Sequence, residues 1–287
     1  MLAGLALFLG ACSDSSAPST TIDALTQLQA DDMSSDAAGD VDELADFSMY
    51  DPSTGASFTS AGVRAQSAPP PPCVTISPNP PTNSDGDAVP DSVRFDYSAC
   101  GFTRGNGTVI DSLDGTIDFI DPLPLQASLG VRHVFTDFTR KRINTAFPLR
   151  SFMAVQNGTR EWGGDADTLG HTITAFTTVW THPSGRTTTH ERDWIAKFTA
   201  GTPGTISLLT PLPAGSFTVA GTGHWSTLGR TWSVVTSTPT ALEYDPACNV
   251  APRFTAGELN LVVTRNGVVT NVSIVFSACG QYTETRS

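Results

Sequence analysis

Basic residues are scarce in this chain, and lysine is nearly absent. Lys141 and Lys197 are the two lysines, and 16 Lys+Arg face 28 Asp+Glu for a formal charge of −12. Phosphate backbones are bound through a basic face, so no nucleic-acid partner is expected. Long apolar runs are also missing. Nowhere do about 18 apolar residues follow one another, so no membrane-spanning helix is expected. The common catalytic signatures are lacking as well: there is no Gly-x-Ser-x-Gly elbow, no Ser-x-x-Lys, no P-loop and no dinucleotide fingerprint. His190-Glu191-Arg192-Asp193-Trp194 lacks the second His of a zincin helix. No Cys-x-x-Cys occurs, which removes the usual zinc and redox spacings. No catalytic residue is therefore assigned.

What is present supports one substantial core: 287 residues, 39% of them hydrophobic. The charge is unevenly placed. Residues 13–51 hold ten acids and no base, which leaves −2 for residues 52–287. The remainder is nearly neutral and rich in Thr, whose β-branched side chain suits a pleated surface.

Residues Leu2 to Gly10 form a short apolar run of signal-peptide length, too short to cross a bilayer. It ends in Leu9-Gly10-Ala11-Cys12 and switches at once to Ser13-Asp14-Ser15-Ser16. This resembles the lipobox of bacterial lipoproteins. The resemblance implies cleavage before Cys12, a diacylglyceryl group on its thiol and acylation of the new amino terminus. Several acyl chains, at about 0.8 kcal/mol per buried CH₂, make a stable membrane anchor. Such signals carry Lys or Arg before the apolar run, whereas only Met1 precedes Leu2 here. A basic stretch upstream of Met1 would complete the pattern.

Five cysteines is an odd number, and lipidation of Cys12 leaves four: Cys73, Cys100, Cys248 and Cys279. In an exported chain an even set reads as disulfides. An internal echo favours one pairing. Asp91-Ser-Val-Arg-Phe-Asp-Tyr-Ser-Ala-Cys-Gly101 aligns with Thr270-Asn-Val-Ser-Ile-Val-Phe-Ser-Ala-Cys-Gly280. Each copy has a Cys some way upstream, so Cys73–Cys100 with Cys248–Cys279 is the simplest of three connectivities.

The chain divides into a signal peptide (1–11), an acidic tether (12–72) and an all-β domain (73–287). Within the tether, Thr20 or Thr21 would cap a turn that aligns Ile22, Leu25 and Leu28. Val41, Leu44 and Phe47 mark a second short helix; a disordered acidic leader is the alternative. Pro69 to Pro72 form an extended spacer. From Cys73 onward, short strands rich in Thr, Val, Ile and aromatics are bounded by turn residues. They include residues 93–97, 115–120, 131–139, 171–181, 189–199, 215–225, 230–236, 258–264 and 268–276. A turn is expected at Leu113-Asp114-Gly115. Hairpins are expected at Asn266-Gly267, which suits a type I′ turn, and at Pro183-Ser184-Gly185. Without helical crossovers the pairing is antiparallel. The expected fold is an all-β antiparallel meander, strongly curved or an open barrel, with a short helical or disordered N-terminal segment.

The sharpest local motif is Asn83-Ser-Asp85-Gly-Asp87-Ala-Val-Pro-Asp91. It resembles the calcium loops of thrombospondin type 3 repeats. That resemblance implies a Ca²⁺ bound by Asn83, Asp85, Asp87, the Val89 carbonyl and Asp91, alternate positions converging on one hard cation. Ala88 stands where such loops carry Gly, and Arg94 where they carry a bidentate Glu. His182 and His190 fall on two arms of one hairpin, and strand register decides whether they share a face. Asp165 and Asp167 read as loop acids. Trp162, Trp180, Trp194, Trp225 and Trp232 read first as core and second as the floor of a ligand groove.

These features point to an exported, lipid-anchored envelope protein, its membrane partner reached through Cys12. Its domain is expected to be a non-catalytic binding or structural module, with an apolar or glycan ligand. A glycan hydrolase and a calcium-rigidified adhesion module are the alternatives.

Overall fold

The computed structural model describes residues 24–45, 56–59, 62–65, 73–87, 89–104, 109–145, 148, 151–207 and 210–287. The Leu2–Cys12 run, Thr20, Thr21, Ile22, Phe47 and Pro69–Pro72 lie outside these residues. The elements are a helix α1 (Gln27–Asp42) with a 3-10 turn at Glu43–Ala45, and fourteen strands. β1 (Ala56–Thr59) and β2 (Gly62–Ala65) pair as a separate hairpin. The others are β3 (Val74–Ser77), β4 (Ser92–Arg104), β5 (Val109–Ile120), β6 (Val131–Asn144), β7 (Phe152–Gly164), β8 (Thr168–Thr181), β9 (Thr187–Ala200), β10 (Gly215–Thr227), β11 (Arg230–Tyr244), β12 (Phe254–Arg265), β13 (Val268–Ala278) and β14 (Gln281–Arg286).

Strands β3 to β14 form one twelve-stranded antiparallel sheet in which every strand pairs with its neighbour in sequence. It is a pure meander and does not close. The free edges are blunted: β3 has four residues, and β14 carries Glu284 and Arg286. Asn266 and Gly267 both take positive φ at the β12–β13 turn, as the type I′ expectation requires.

Alternation is clearest in β9. Thr188, His190, Arg192, Trp194, Ala196, Phe198 and Ala200 are buried, while Thr187, Glu191, Asp193, Ile195, Lys197 and Thr199 are exposed. A lipid-facing barrel strand needs an apolar outer band. The outer face of β9 carries Glu191, Asp193, Lys197 and threonines beside Ile195, and forms no such band. Among the described residues no helix is long and apolar enough to cross a membrane.

The sheet curves through a recurrent bulge. Ala99 in β4, Asp137 in β6 and Ala175 in β8 take positive φ, evenly spaced in the chain (99, 137, 175). Register shifts occur at each: between Tyr97 and Cys100, Phe135 and Phe138, and Ile173 and Phe176. The displaced N–H is captured each time by a side chain of the next strand. Ala99 N–H donates to Asp114 Oδ1 (3.1 Å), Asp137 N–H to Asn157 Oδ1 (2.8 Å) and Ala175 N–H to Asp193 Oδ1 (2.7 Å). Bulges bend a strand and increase its twist, so a row of them curls the sheet. Asp114-Gly115 is therefore not the turn its composition suggests; it lies inside β5 opposite the β6 bulge. Asn157-Gly158 likewise sits inside β7, at φ +124°. A Cβ on Gly158 would stand 2.8 Å from Phe176 Cα and 2.9 Å from Ala175 O.

The curled sheet wraps α1. Thr26 and Gln29 form a reciprocal capping box that starts the helix, later than a Thr20 or Thr21 cap would place it. Of the two short helices expected from apolar spacing, the first falls mostly before α1, and the second coincides with the end of α1 and its 3-10 turn. Leu25 and Val41 are buried, but Leu28 is 54% exposed, because the buried face of α1 is set mainly by its acids and alanines. Ala30, Met33, Ala37, Ala38, Val41, Leu44 and Ala45 join the sheet's inner side chains in one core. Gly39 lies against the Trp180 indole, where a Cβ would come within 2.9 Å of Cη2. An element that meets side chains from β7 through β14 must lie inside the curve.

Two disulfides brace the ends of the meander. Cys73 joins Cys100 and Cys248 joins Cys279, with Cα–Cα separations of 5.3 and 5.5 Å. They suit an oxidising compartment and hence an exported protein.

Candidate functional site

The concave face of the sheet is occupied by the chain's own acidic segment. Asp32, Asp36 and Asp40 are four apart, so they project from one side of α1. Each four-residue step along a helix rises about 6 Å, close to the ~6.6 Å of two residues in a strand. The inward residues Arg186, Thr188, His190 and Arg192 therefore keep pace with the acids. Arg186 Nη2 pairs with Asp32 Oδ1 at 2.6 Å. Thr188 Oγ1 donates to Asp36 Oδ2 at 2.6 Å, and Trp225 Nε1 donates to the same oxygen at 2.9 Å. His190 Nδ1 and Arg192 Nη1 both meet Asp40. Beyond the helix, Glu43 accepts from Arg160 Nη2 at 2.6 Å and from Gln156 Nε2 at 2.7 Å. Asp42 Oδ1 accepts from the Arg253 amide at 2.6 Å.

Burial shifts the titration of Asp36, Glu43 and several of the groups around them. Four of its five carboxylates have an arginine partner, and Asp36 does not. Desolvation pushes the Asp36 carboxyl well above the ordinary carboxylate range, against the Thr188 and Trp225 donors that favour its charge. Glu43 is raised by burial, with Arg160 opposing. His190 is lowered by burial although Asp40 favours its cation, and burial lowers Arg192 in the same way. His171, stacked on Trp162 with ring centroids 3.9 Å apart, is lowered well below its ordinary value, chiefly by burial.

His182 and His190 do face the same interior, but they meet different carboxylates. His182 Nε2 lies 3.4 Å from Asp36 Oδ1 and 3.2 Å from Thr188 Oγ1. Thr, His and Asp thus stand together without forming a nucleophilic set: Thr188 is fully buried and its hydroxyl is held by Asp36. Asp165 and Asp167 cap backbone amides of their own loop and of Gly204. All five tryptophans are buried, as core residues. Two hollows border the filled concavity. One of about 240 Å³ lies near Phe152 and His182, the other of about 270 Å³ near Gln29 and Arg230. Both are below the ~300 Å³ at which small-molecule pockets begin.

The carboxylate loop lies apart, between β3 and β4. Asn83 and Asp91 are occupied within it. Asn83 Oδ1 accepts from the Gly86 amide and its Nδ2 donates to the Asp87 carbonyl, while both Asp91 oxygens accept from Ser84. The Ser84 bonds hold Asp91 below the ordinary carboxylate range. The Val89 side chain is buried and its amide donates to Asp87 Oδ1. Asp85 and Asp87 turn instead toward Asp121, the residue after β5, and carboxylate oxygens of the three lie within 4.8 Å of one another. Asp121 is 3% exposed. It belongs to no motif near residue 83, and only the β4–β5 pairing brings it there.

Comparison with protein-family models, curated proteins and solved structures returns no match, so the chemistry is read from this chain alone.

Proposed function

We propose that this protein is an exported bacterial lipoprotein, anchored through Cys12, whose β-domain is a non-catalytic structural module held close to the membrane. The observation that carries this reading is the burial of α1 inside the sheet. A free tether over 12–72 would let the domain roam up to about 200 Å from its anchor. With Leu25 already in the core, the chain from Cys12 reaches at most about 45 Å. The lipobox-like Leu9-Gly10-Ala11-Cys12 supplies the anchor, and the two disulfides supply rigidity in an oxidising compartment.

The filled concavity favours a structural role over carriage of an apolar or glycan ligand. Such a ligand would have to displace α1 and strand several buried charges, each costly to leave unpaired. The test is metabolic labelling with radioactive palmitate, followed by membrane fractionation of the wild type and Cys12→Ser. The reading expects label in the membrane-bound wild type, and an unlabelled, soluble variant. Unlabelled wild-type protein free of the membrane would overturn it.

A further inference from the structure

Three carboxylates from two loops converge without a counter-ion. Asp85 and Asp87 lie between β3 and β4, and Asp121 follows β5. Among the described residues no Lys, Arg or His pairs with any of them. Backbone amides fix their orientation. Asp85 Oδ1 accepts from the Asp87 amide at 3.0 Å, and Asp121 Oδ1 accepts from the Leu123 amide at 2.7 Å. Asp87 Oδ1 and Oδ2 accept from the amides of Val89 (2.6 Å) and Ser128 (3.0 Å).

Those bonds leave two oxygens over. Asp85 Oδ2 and Asp121 Oδ2 are buried and have no donor. A buried charged oxygen without a partner is costly and calls for an explanation. Asp121 is the telling case. It is almost wholly buried, it comes from a different strand, it keeps one oxygen without a donor, and its carboxylate lies within 4.8 Å of the other two.

The donor chemistry selects the ligand. All the donors are hard oxygens, which suit Ca²⁺ or Mg²⁺ and not softer metals. Oxygens on opposite sides of a Ca²⁺ ion stand about 4.8 Å apart, twice a bond of ~2.4 Å. The three carboxylate oxygens all lie within that distance of one another, so one ion can reach all of them. An all-protein carboxylate set of irregular geometry suits Ca²⁺, whereas Mg²⁺ demands near-octahedral geometry and keeps several waters.

We propose that Asp85, Asp87 and Asp121 form a Ca²⁺ site that clamps the loop after β3 to the loop after β5. The site differs from the ligand set implied by loop spacing alone, because Asp85 and Asp87 cluster with Asp121, while Asn83 and Asp91 bond within the loop. Its position gives it a purpose. β3 is a four-residue free edge, tied to β4 by Cys73–Cys100 at one end, and the cation would fasten its other end to the loop after β5.

The test uses the full-length chain in detergent, stripped with a chelator and titrated with CaCl₂ by calorimetry, with melting followed by circular dichroism. The proposal expects one Ca²⁺ per chain and a melting temperature raised by roughly 5–10 °C in millimolar CaCl₂. Asp121→Asn is expected to weaken binding at least tenfold, yet to melt in chelator no lower than the wild type, since it removes an unpaired buried charge. Asp85→Asn gives an independent second variant with the same expectation for binding. Asp91→Asn should keep affinity within about threefold. No binding heat and no melting shift in the wild type would overturn the proposal. So would an equal response to MgCl₂, or loss of binding in Asp91→Asn with Asp121→Asn unaffected.

Discussion

Glu43 and Arg160, 117 residues apart in the chain, meet at 2.6 Å with both side chains almost wholly out of water. The pair joins the end of the N-terminal helix to the middle of β7. Arg160 also stacks over Phe176, its guanidinium carbon 4.3 Å from the ring centroid. Removing one partner strands the other, and a buried charge without its mate typically costs about 3–5 kcal/mol. Glu43→Gln should lose that order of stability in chemical denaturation. The double variant Glu43→Leu with Arg160→Met should recover most of it, because neither charge is then left buried. Additive losses in the double variant would show that the two groups do not depend on each other.

Asp36 sets an unusual pH response. Its carboxyl is held well above the ordinary range by burial, so the folded protein keeps this proton at pH values where the unfolded chain has lost it. Its contribution to stability therefore falls as pH rises from about 4 toward neutrality. His171 and His190 act the other way. Burial lowers both, so the unfolded chain takes up their protons first and stability falls as pH drops through about 6.5. Asp36→Asn should melt higher than the wild type at pH 7, with the gain shrinking toward pH 4. Melting curves of both proteins across pH 4–8 check this, and a constant difference would contradict it.

The bulge row should be sensitive at its captured amides. Asn157→Ala deletes the acceptor for Asp137 N–H and should cost about 1 kcal/mol. Gly158→Ala places a Cβ against the β8 backbone at positive φ and should cost more, about 2–4 kcal/mol. Urea midpoints rank the two, and equal midpoints would place the curvature elsewhere.

The C-terminal staple closes a separation of 31 residues between Cys248 and Cys279. In the chain-entropy model a loop of that size contributes about 3–4 kcal/mol. The double variant Cys248→Ser/Cys279→Ser should lower the denaturation midpoint by that order with the other disulfide intact. An unchanged midpoint would mean that β12–β13 pairing already restrains this end.

The meander was legible because Thr-rich alternation and tight turns leave few options. The Asn266-Gly267 hairpin and the Ser-Ala-Cys-Gly echo each report local geometry. The interior Asp114-Gly115 misleads for a physical reason: an Asx-Gly pair serves a bulge acceptor as well as a turn, and composition does not separate the two. The burial of α1 was hidden behind its charge. Ten acids without a base read as solvated until partners are known, and the partners of Asp32, Asp36, Asp40, Asp42 and Glu43 lie 113 to 211 residues away. One signal was present all the same. Asp32-x₃-Asp36-x₃-Asp40 has the rise of Arg186-x-Thr188-x-His190, a helix step matched to a strand step. Asp121 carried no local signal at all, since strand pairing alone brings it to the carboxylate loop.

The central claim is that the acidic N-terminal segment is an integral, buried element of the fold. Amide hydrogen exchange of the full-length chain, resolved over residues 27–42, tests it most directly. The account predicts protection comparable to β8, β9 and β10, because α1 leaves the sheet only when its buried charges are exposed together. Exchange within seconds, as for a solvated tether, would contradict it.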